Sequence, residues 1–390
     1  MPHEPRSGHG MQGVVSSGRK LRVGVLFGGS SSEHEVSLMS ARSVLGALDP
    51  TRYEVVQIGI TKEGRWLIAS DAIDRLIERA ESAGALEGEV DGTETVALLA
   101  DPRSGGRLQR MEATGGESVA PLDVLFPLIH GRTGEDGALQ GLFELSEVAY
   151  VGAGITGSAV GMDKEIAKAV WTAAGLPVGP YRVVRWTDWR RDSTRVKGEV
   201  ATGVGFPCFI KPSSSGSSIG VHKVKSMEEL GPAIEDAARY DTKILAEEAI
   251  EGRELECGVL GNEDPEASVV GEIVPGHEFY DYEDKYFDDA VQLVIPADVR
   301  EETSDRVREL ALAAFRAIDA RGMARVDFFL EAGTGRIYLN EINTIPGFTR
   351  VSMYPMLWKA SGVPFPELCD RLIALAIADR KRRHGLKRTR

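Results

Sequence analysis

The chain has 390 residues, 42% of them apolar and 27% charged. That is enough chain for roughly two to four domains with a self-sufficient core, and the composition is neither polar enough for disorder nor apolar enough for a membrane protein. The net charge is −13, and because seven basic residues fall in positions 380–390 the body is more acidic still, so polyanions are repelled and nucleic acid is not an expected partner.

Residues 1–20 form a Gly/Ser-rich leader that is expected to be disordered and lacks the apolar stretch of a signal peptide. Residues 21–27 read as a buried strand feeding the turn Gly28-Gly29-Ser30-Ser31-Ser32. A helix is expected next, because Ser32 and Glu35 have the spacing of a capping box and Val36, Met39 and Val44 continue an apolar face. Residues 53–60 and 65–68 read as strands, whereas 81–119 are acidic and glycine-rich without sustained period and predict a loop-rich insertion. A further buried strand at 123–128 leads into a loop at 130–136 and a helix carrying Leu139, Leu142 and Phe143. From Gly152 a glycine-rich connection reaches a helix over 163–174, then Pro177 opens short β-rich segments as far as 246. Within these, 207–211 and 221–224 are expected strands, 212–220 a small-residue loop and 227–240 an amphipathic helix. A third region from 247 has strands at 254–260 and 268–273, an aromatic, acidic loop at 278–287 and a helix over 302–320. It closes with strands at 324–330 and 336–342, whose connector Glu331-Ala332-Gly333-Thr334-Gly335 predicts a hairpin. Domains are thus expected at 21–152, 153–246 and 247–390. Cys208, Cys257 and Cys369 are far apart with no CxxC spacing, so buried thiols in a reducing compartment are expected. No uncharged run is long enough for a transmembrane helix, and the cytoplasm is the expected location.

Chemistry concentrates on the hairpin. Asp327 lies on one strand, and Glu341 and Asn343, two apart, project from one face of the other. Counting back from Gly333 puts Asp327 opposite or diagonal to Glu341, so three oxygen ligands face one volume, as Mg²⁺ requires when a nucleotide supplies the rest. Two solvated carboxylates and an Asn turn would read the same way, although Arg325 and Pro346-Gly347 nearby weigh toward a site. The loop from Lys211 to Gly220 has no bulky residue before Ile219, so its backbone N–H groups can approach a phosphate with Lys211 as a point charge. A plain flexible connection is the alternative. Neither a Walker A order nor GxGxxG is present, which argues against a P-loop NTPase and an NAD enzyme. His130-Gly131-Arg132-Thr133-Gly134-Glu135-Asp136-Gly137 sits where α/β proteins bind ligands, or is a solvated turn with Asp136 as N-cap. The stretch 279–287 carries five aromatics among alternating charges and reads as a lid, or as a hairpin packing its rings on the core.

Taken in order, Gly28 to Ser37, His130-Gly131 with Gly134-Glu135-Asp136-Gly137, Met162-Asp163-Lys164, Lys211-Pro212, Gly216-Ser217-Ser218, Tyr280-Asp281-Tyr282 with Lys285-Tyr286, Arg325-Val326-Asp327 and Asn340 to Thr349 resemble the ATP-grasp superfamily. Within it they are similar to the D-alanine:D-alanine ligases, over nearly everything from Leu21 to Ala378. The resemblance implies a three-domain ATP-grasp architecture: an N-terminal open α/β domain, then central and C-terminal α+β domains with a lid at 278–287 and a basic tail at 380–390. It implies ATP-driven joining of two D-alanine molecules through a D-alanyl phosphate, with ADP and phosphate released, for peptidoglycan precursor synthesis. By resemblance, Glu33, Ser217, Tyr286 and Arg325 are catalytic, and His130, Ser352, Met353 and Gly347 bind substrate. Lys164, Lys211, Ser218, Glu247, Glu248, Ile250, Glu254 and Lys285 would bind ATP, and Asp327, Glu341 and Asn343 would hold two Mg²⁺ or Mn²⁺ ions. The family's habit also implies a homodimer through the N-terminal domain, and Tyr286 favours a dipeptide product over a depsipeptide. Two departures stand out: Ala249 occupies an adenine-pocket position where a bulky residue is expected, and 81–119 has no counterpart in the shortest family members.

Overall fold

The computed structural model describes residues 19–81, 92–111, 118–274 and 292–387 and builds them on three sheets. Strands β1 (Leu21–Gly28), β2 (Tyr53–Ile60), β3 (Trp66–Ile68), β4 (Glu94–Leu98), β5 (Leu108–Arg110), β6 (Val124–Pro127) and β7 (Ala149–Tyr150) make the first, in the order β5-β4-β3-β2-β1-β6-β7. β2, β1, β6 and β7 are parallel, and β3 to β5 are antiparallel additions. Helices α1 (His34–Leu45), α2 (Ala72–Glu81) and α3 (Ala138–Leu145) connect or flank these strands. A sheet covered on both faces wants continuously apolar strands, and β1 obliges. Val23, Val25 and Phe27 enter one core while Leu26 enters the other with Ile58, Leu125 and Phe143.

Two expectations for this region change. Residues 94–98 and 108–110 of the supposed loop-rich insertion are strands that extend the sheet, short enough to escape a search for sustained alternation. The capping box does not form: Glu33 is the N-cap of α1 with no side-chain cap bond, and the Glu35 carboxylate instead takes a 2.8 Å bond from Lys62. Met39 is exposed, so the buried apolar residues of α1 are Val36, Leu38, Ala41 and Val44. Arg19, at the edge of the expected leader, forms a forked pair with Asp123 at 2.6 and 2.8 Å.

The second sheet follows α4 (Ile155–Met162) and α5 (Lys164–Ala173). It contains β8 (Tyr181–Arg185), β9 (Cys208–Pro212), β10 (His222–Val224) and β11 (Lys243–Glu248), in the order β10-β9-β11-β8. Helices α6 (Trp186–Arg191), α7 (Ser193–Gly203) and α8 (Met227–Ala237) cover one face through Trp189, Val196, Val200 and Leu230. The sequence reading expected a glycine-rich connection where α4 stands and only β-rich segments where α6 and α7 stand. Both are corrected here: tertiary packing rather than propensity makes these helices stable, α4 against α5 and the strand Ile337–Asn343, and α6 and α7 against β8 and each other.

The third sheet joins β12 (Gly252–Gly261), β13 (Glu266–Val274), β14 (Gln292–Val294), β15 (Gly322–Glu331) and β16 (Ile337–Asn343), ordered β14-β13-β12-β15-β16. Helix α9 (Glu301–Ala317) backs it, and Trp171 of α5 donates to the Ala314 carbonyl at 3.2 Å, fixing α5 between the second and third sheets. Helices α10 (Met353–Ala360) and α11 (Phe365–His384) end the fold, and no described helix is long and apolar enough to cross a membrane. The segment 278–287, expected to be a lid, and positions 1–18 of the expected leader lie outside the described residues. All three cysteines are buried, as expected.

The last helix packs into one core shared by the first sheet and the ends of β12 and β15. Leu368, Leu372 and Ile373 of α11 pack with Val25, Phe27 and Phe126 of the first sheet. Beside that apolar seam runs a charged one: buried Asp379 receives Arg321 at 2.9 Å, Arg383 at 2.7 Å and Arg382 at 2.9 Å, and Arg321 and Arg383 also reach Glu144 of α3. Arg380 holds Glu147 at 3.0 Å. The basic tail is thus no loose arm up to position 384, but a helix end paired to the N-terminal domain. Removing one member of a buried ion network leaves charges uncompensated, so Asp379→Ala should lower unfolding stability by about 3 kcal/mol in urea titration. A loss within about 0.5 kcal/mol would mean that the seam is solvated.

Candidate active site

A cleft of about 500 Å³ opens between the second and third sheets. Lys164, Lys211, Ser217, Ser218, Glu247, Glu248, Ile250, Glu254, Arg325, Asp327 and Glu341 all line it, as does Ala249. Where a bulky residue was expected at 249, the apolar surface comes instead from Phe209, Val221, Ile250 and Phe329.

Its floor is the β15–β16 hairpin. The register pairs Asp327 with Glu341 and Arg325 with Asn343 directly, and the neighbouring β12 sets Glu256 opposite Asp327. Leu330, Phe329 and Phe328 face Ile337, Tyr338 and Leu339 in turn, but Asp327 faces Glu341, so Asn340 is an extra residue at a β-bulge. Bulges re-aim side chains next to sites. Here the Asn340 amide oxygen accepts from Lys211 at 3.4 Å, a contact that counting from the turn does not anticipate. Arg325 grips both Asp327 oxygens at 2.7 Å and reaches Glu256 at 2.9 Å, and the Asn343 amide donates to Asp327 at 2.9 Å. Burial works against the Arg325 charge, but Asp327 and Glu256 outweigh it and raise its pKa.

The wall is built from α5 and the β9 loop. Asp163 caps α5 by accepting from Ile166 N at 3.2 Å, and the same carboxylate takes Ser213 Oγ at 2.8 Å and Lys243. Lys164 thereby starts the helix beside the loop, donating to the Ser215 carbonyl at 2.7 Å and standing 3.5 Å from Glu341. Lys211 pairs with Glu247 Oε2 at 2.8 Å. One turn beyond Lys164, buried Lys168 approaches the same oxygen at 3.3 Å. Burial pushes the Lys168 ammonium down to about 8, and the two lysines together hold Glu247 below its ordinary value despite its own burial. The sequence reading missed Lys168; its only signal was the i, i+4 spacing from Lys164, which puts both on one helix face.

The N-terminal sheet contributes from the carboxyl ends of β1 and β6, where parallel sheets place ligand-binding loops. Glu33 follows β1 and accepts from Ser217 Oγ across 184 residues of chain. Ser217 and Ser218 hold left-handed φ of 51° and 57°, a conformation costing non-glycine residues about 1–2 kcal/mol each, which bends the loop tip onto Glu33. Gly131 and Gly216 flank that carboxylate so closely that a Cβ would stand 3.0 and 3.2 Å from Glu33 Oε2. His130 follows β6; its Nδ1 lies 2.9 Å from the Ile345 carbonyl, so that nitrogen carries the proton and Nε2 faces Ser40 Oγ at 3.4 Å. Burial lowers its pKa and keeps the ring neutral. Ser40 Oγ also accepts from Phe348 N at 3.3 Å, tying His130 to the loop that leads to Gly347, Ser352 and Met353. Ser352 is the N-cap of α10, with its Oγ 2.7 Å from Thr349 Oγ1. The reading of Asp136 as a cap changes: Gly137 is the N-cap of α3, and Asp136 accepts from Thr133 N and Ala138 N. Lys285 and Tyr286 lie outside the described residues.

Among the described residues no three His, Cys, Asp or Glu side chains gather as a metal centre. Two carboxylates and one amide on a shared face nevertheless suit Mg²⁺, a hard ion that takes few protein oxygens when phosphates complete its shell.

The description D-ala D-ala ligase N-terminus matches residues 22–153, and D-ala D-ala ligase C-terminus matches 170–374. The chain belongs to the D-alanine–D-alanine ligase family. A D-alanine--D-alanine ligase of Mycobacterium ulcerans is 48% identical over 376 residues, covering 94% of this chain and 98% of that protein. One of Acetivibrio thermocellus is 47% identical over 368 residues, 92% and 96% of the two lengths. Among solved structures, the D-alanine-D-alanine ligase from Coxiella burnetii superposes with a TM-score of 0.80 at 36% identity, covering 94% and 96% of the two chains. The VanG D-Ala:D-Ser ligase from Enterococcus faecalis gives 0.80 at 33%, covering 92% and 100%. The ATP-grasp class expected from the sequence therefore stands, and family membership carries use of ATP.

Glu135 went unassigned in the sequence. It accepts from Gly131 N at 2.9 Å and Ile345 N at 3.1 Å, bridging the β6 loop to the loop after β16. Burial, then the charge on Glu33, push its carboxyl up to about 8 against those two donors. An acid whose folded pKa exceeds its unfolded one stabilises most below the unfolded value and loses that contribution as pH rises through the folded value. Between about pH 5 and 8, wild-type stability should therefore fall relative to Glu135→Gln, which has no proton to lose. Parallel profiles in urea titration would mean that the two N–H donors keep Glu135 ionised throughout.

Proposed function

We propose that this protein joins two D-alanine molecules at the cost of ATP, forming D-alanyl-D-alanine, ADP and phosphate for cell-wall precursor synthesis. The observation that carries the reading is the Glu33–Ser217 contact, which brings an ammonium-binding carboxylate from the N-terminal domain to the tip of the phosphate loop. A carboxylate oxygen of the first D-alanine attacks the γ-phosphorus, the bond to the β-phosphate oxygen breaks, and ADP leaves. The amine of the second D-alanine then adds to the acyl carbon, gives up a proton, and expels phosphate.

Such phosphoryl transfer needs charge neutralisation and alignment more than covalent help from the protein. Lys164 and Lys211 hold the α- and β-phosphates, the Ser217–Ser218 loop covers them, and Lys285 reaches the γ-phosphate. Glu247, Glu248 and Ile250 meet the adenine and Glu254 the ribose. Asp327, Glu341 and Asn343 would hold two Mg²⁺ or Mn²⁺ ions, which would supply neutralising charge for the phosphoryl group. Arg325, buried on the same face, stabilises the charge of the acyl phosphate and of the oxyanion formed from it. Glu33 pairs with the ammonium of the first D-alanine near His130, and Gly347, Ser352 and the Met353 backbone bind the carboxylate of the second. Tyr286 completes the site with Ser217 and Glu33, and two copies of the chain pair through their N-terminal domains.

ATP turnover should require D-alanine, and mass identification should find D-alanyl-D-alanine among products offered from D-alanine, D-serine and D-lactate. Equal turnover with L-alanine, or a mainly ester product, would sink the reading. Lys211→Ala should weaken ATP binding by about 1.5 to 3 kcal/mol in calorimetry while leaving the melting temperature largely intact, the scale of a hydrogen bond to a charged group. Unchanged affinity with a collapsed melting temperature would make Lys211 structural.

A further inference from the structure

Two ammonium groups converge on a single oxygen of Glu247. Lys211 stands 2.8 Å from Oε2 and Lys168 3.3 Å from it, while Oε1 is buried with no hydrogen-bond partner. A buried acceptor left unpaired forfeits the hydrogen bonds it would make in water, so this oxygen awaits a donor. Glu247 lines the nucleotide cleft. The exocyclic amine of adenine is a donor of the right kind.

The two lysines are not equivalent. Lys211 lines the cleft and also contacts Asn340, so it is free to turn toward a phosphate. Lys168 is absent from the cleft lining, is only 2% exposed, and points from the inner face of α5 beside Ala167 and Trp171. Burying an ammonium costs several kcal/mol that a leucine or methionine in the same place would avoid. Helix packing therefore gives no reason for a lysine there. Glu247, its one ion-pair partner among the described residues, does.

We infer that Lys168 is a positioning residue for nucleotide specificity: it is the permanent counter-ion that holds Glu247 charged and oriented, with Oε1 toward the 6-amino group of adenine, when Lys211 engages phosphate. This rests on the nucleotide-cleft reading above and deepens it. Glu341 adds to the field that keeps the ammonium charged, and Lys211 opposes it.

The test compares ATP with purine riboside triphosphate, which carries hydrogen in place of the 6-amino group, by kcat/KM for wild type, Lys168→Met, Glu247→Gln and the double variant. In Lys168→Met the preference for ATP should fall about tenfold, mostly through KM, the scale of one charged hydrogen bond. In the Glu247→Gln background, removing Lys168 should change the preference by less than about twofold, because the group it acts through is gone. Equal loss for the two nucleotides, or an equal drop in both backgrounds, would overturn the inference. Should Lys168→Met fail to fold, the double variant leaves no carboxylate uncompensated, and its comparison with Glu247→Gln decides: an unchanged preference supports the coupling and a further fall overturns it. Wild-type protein making no dipeptide with ATP would sink the functional reading instead, a result separate from these ratios.

Discussion

Lys164, Lys211 and Arg325, the cations at the centre of the cleft, are each already held by one of the protein's own carboxylates. Lys164 faces Glu341, Lys211 and Lys168 share Glu247, and Arg325 is clamped by Asp327 and Glu256. In a partly buried site this is a physical necessity, because a lone ammonium or guanidinium removed from water would neutralise or force the cleft open. In the function proposed above, a polyphosphate would bind here by exchanging partners with acids that stay nearby. That exchange keeps binding from being indiscriminate. A sulfate or a short acid brings too little charge to compete at several points at once, whereas a nucleotide triphosphate reaches them together.

The same logic explains why the site spans the whole chain. Glu33 comes from the first sheet, Ser217 from the second and Arg325 from the third. No single sheet could bury them together, and what sets their distances is the packing between sheets. Helix α11 does most of this for the N-terminal domain, with an apolar row on the first sheet and Asp379 drawing Arg321 and Arg383 toward Glu144. Helix α5 does it for the other two, since Trp171 fixes it to α9 while Asp163 fixes its start to the β9 loop.

Which parts were legible in the sequence follows from the range of the forces involved. The hairpin was legible because its turn is marked by glycines and strand alternation has a period of two, which puts Glu341 and Asn343 on one face of β16; that Asp327 shares that face depends on the bulge, without which Asp327 would pair with Asn340. The bulge at Asn340 was not, since it depends on how two strands meet. β4 and β5 are too short to show a period, and α6 and α7 owe their stability to a sheet lying under them. The Ser32–Glu35 capping box failed because the helix starts one residue later, with Glu33 as its N-cap, and Glu35 pairs with Lys62, a residue distant in sequence. Lys168 was invisible for the same reason: its meaning lies in Glu247, on a different element. The basic end of the chain looked like a tail because its partners, Glu144 and Glu147, lie far upstream.

The N-terminal loops carry this dependence to its limit, because what they recognise is backbone. His130 donates to the Ile345 carbonyl, Glu135 accepts from the N–H of the same residue, and Ser40 accepts from Phe348 N. Both polar groups of one peptide segment are thus read by side chains of another domain. Backbone groups cannot titrate or change identity, so this junction specifies the path of the 344–349 loop whatever side chains it carries. The path matters because the loop leads straight into Ser352, whose position at the start of α10 aims the first N–H groups of that helix. A neutral His130 is essential to the arrangement. Were both ring nitrogens protonated, Nε2 would turn from acceptor to donor, and Ser40, already accepting from Phe348 N, would have to give its hydroxyl proton to some other acceptor. Burial of the ring keeps that from happening and so fixes the path of the 344–349 loop from the first sheet's side.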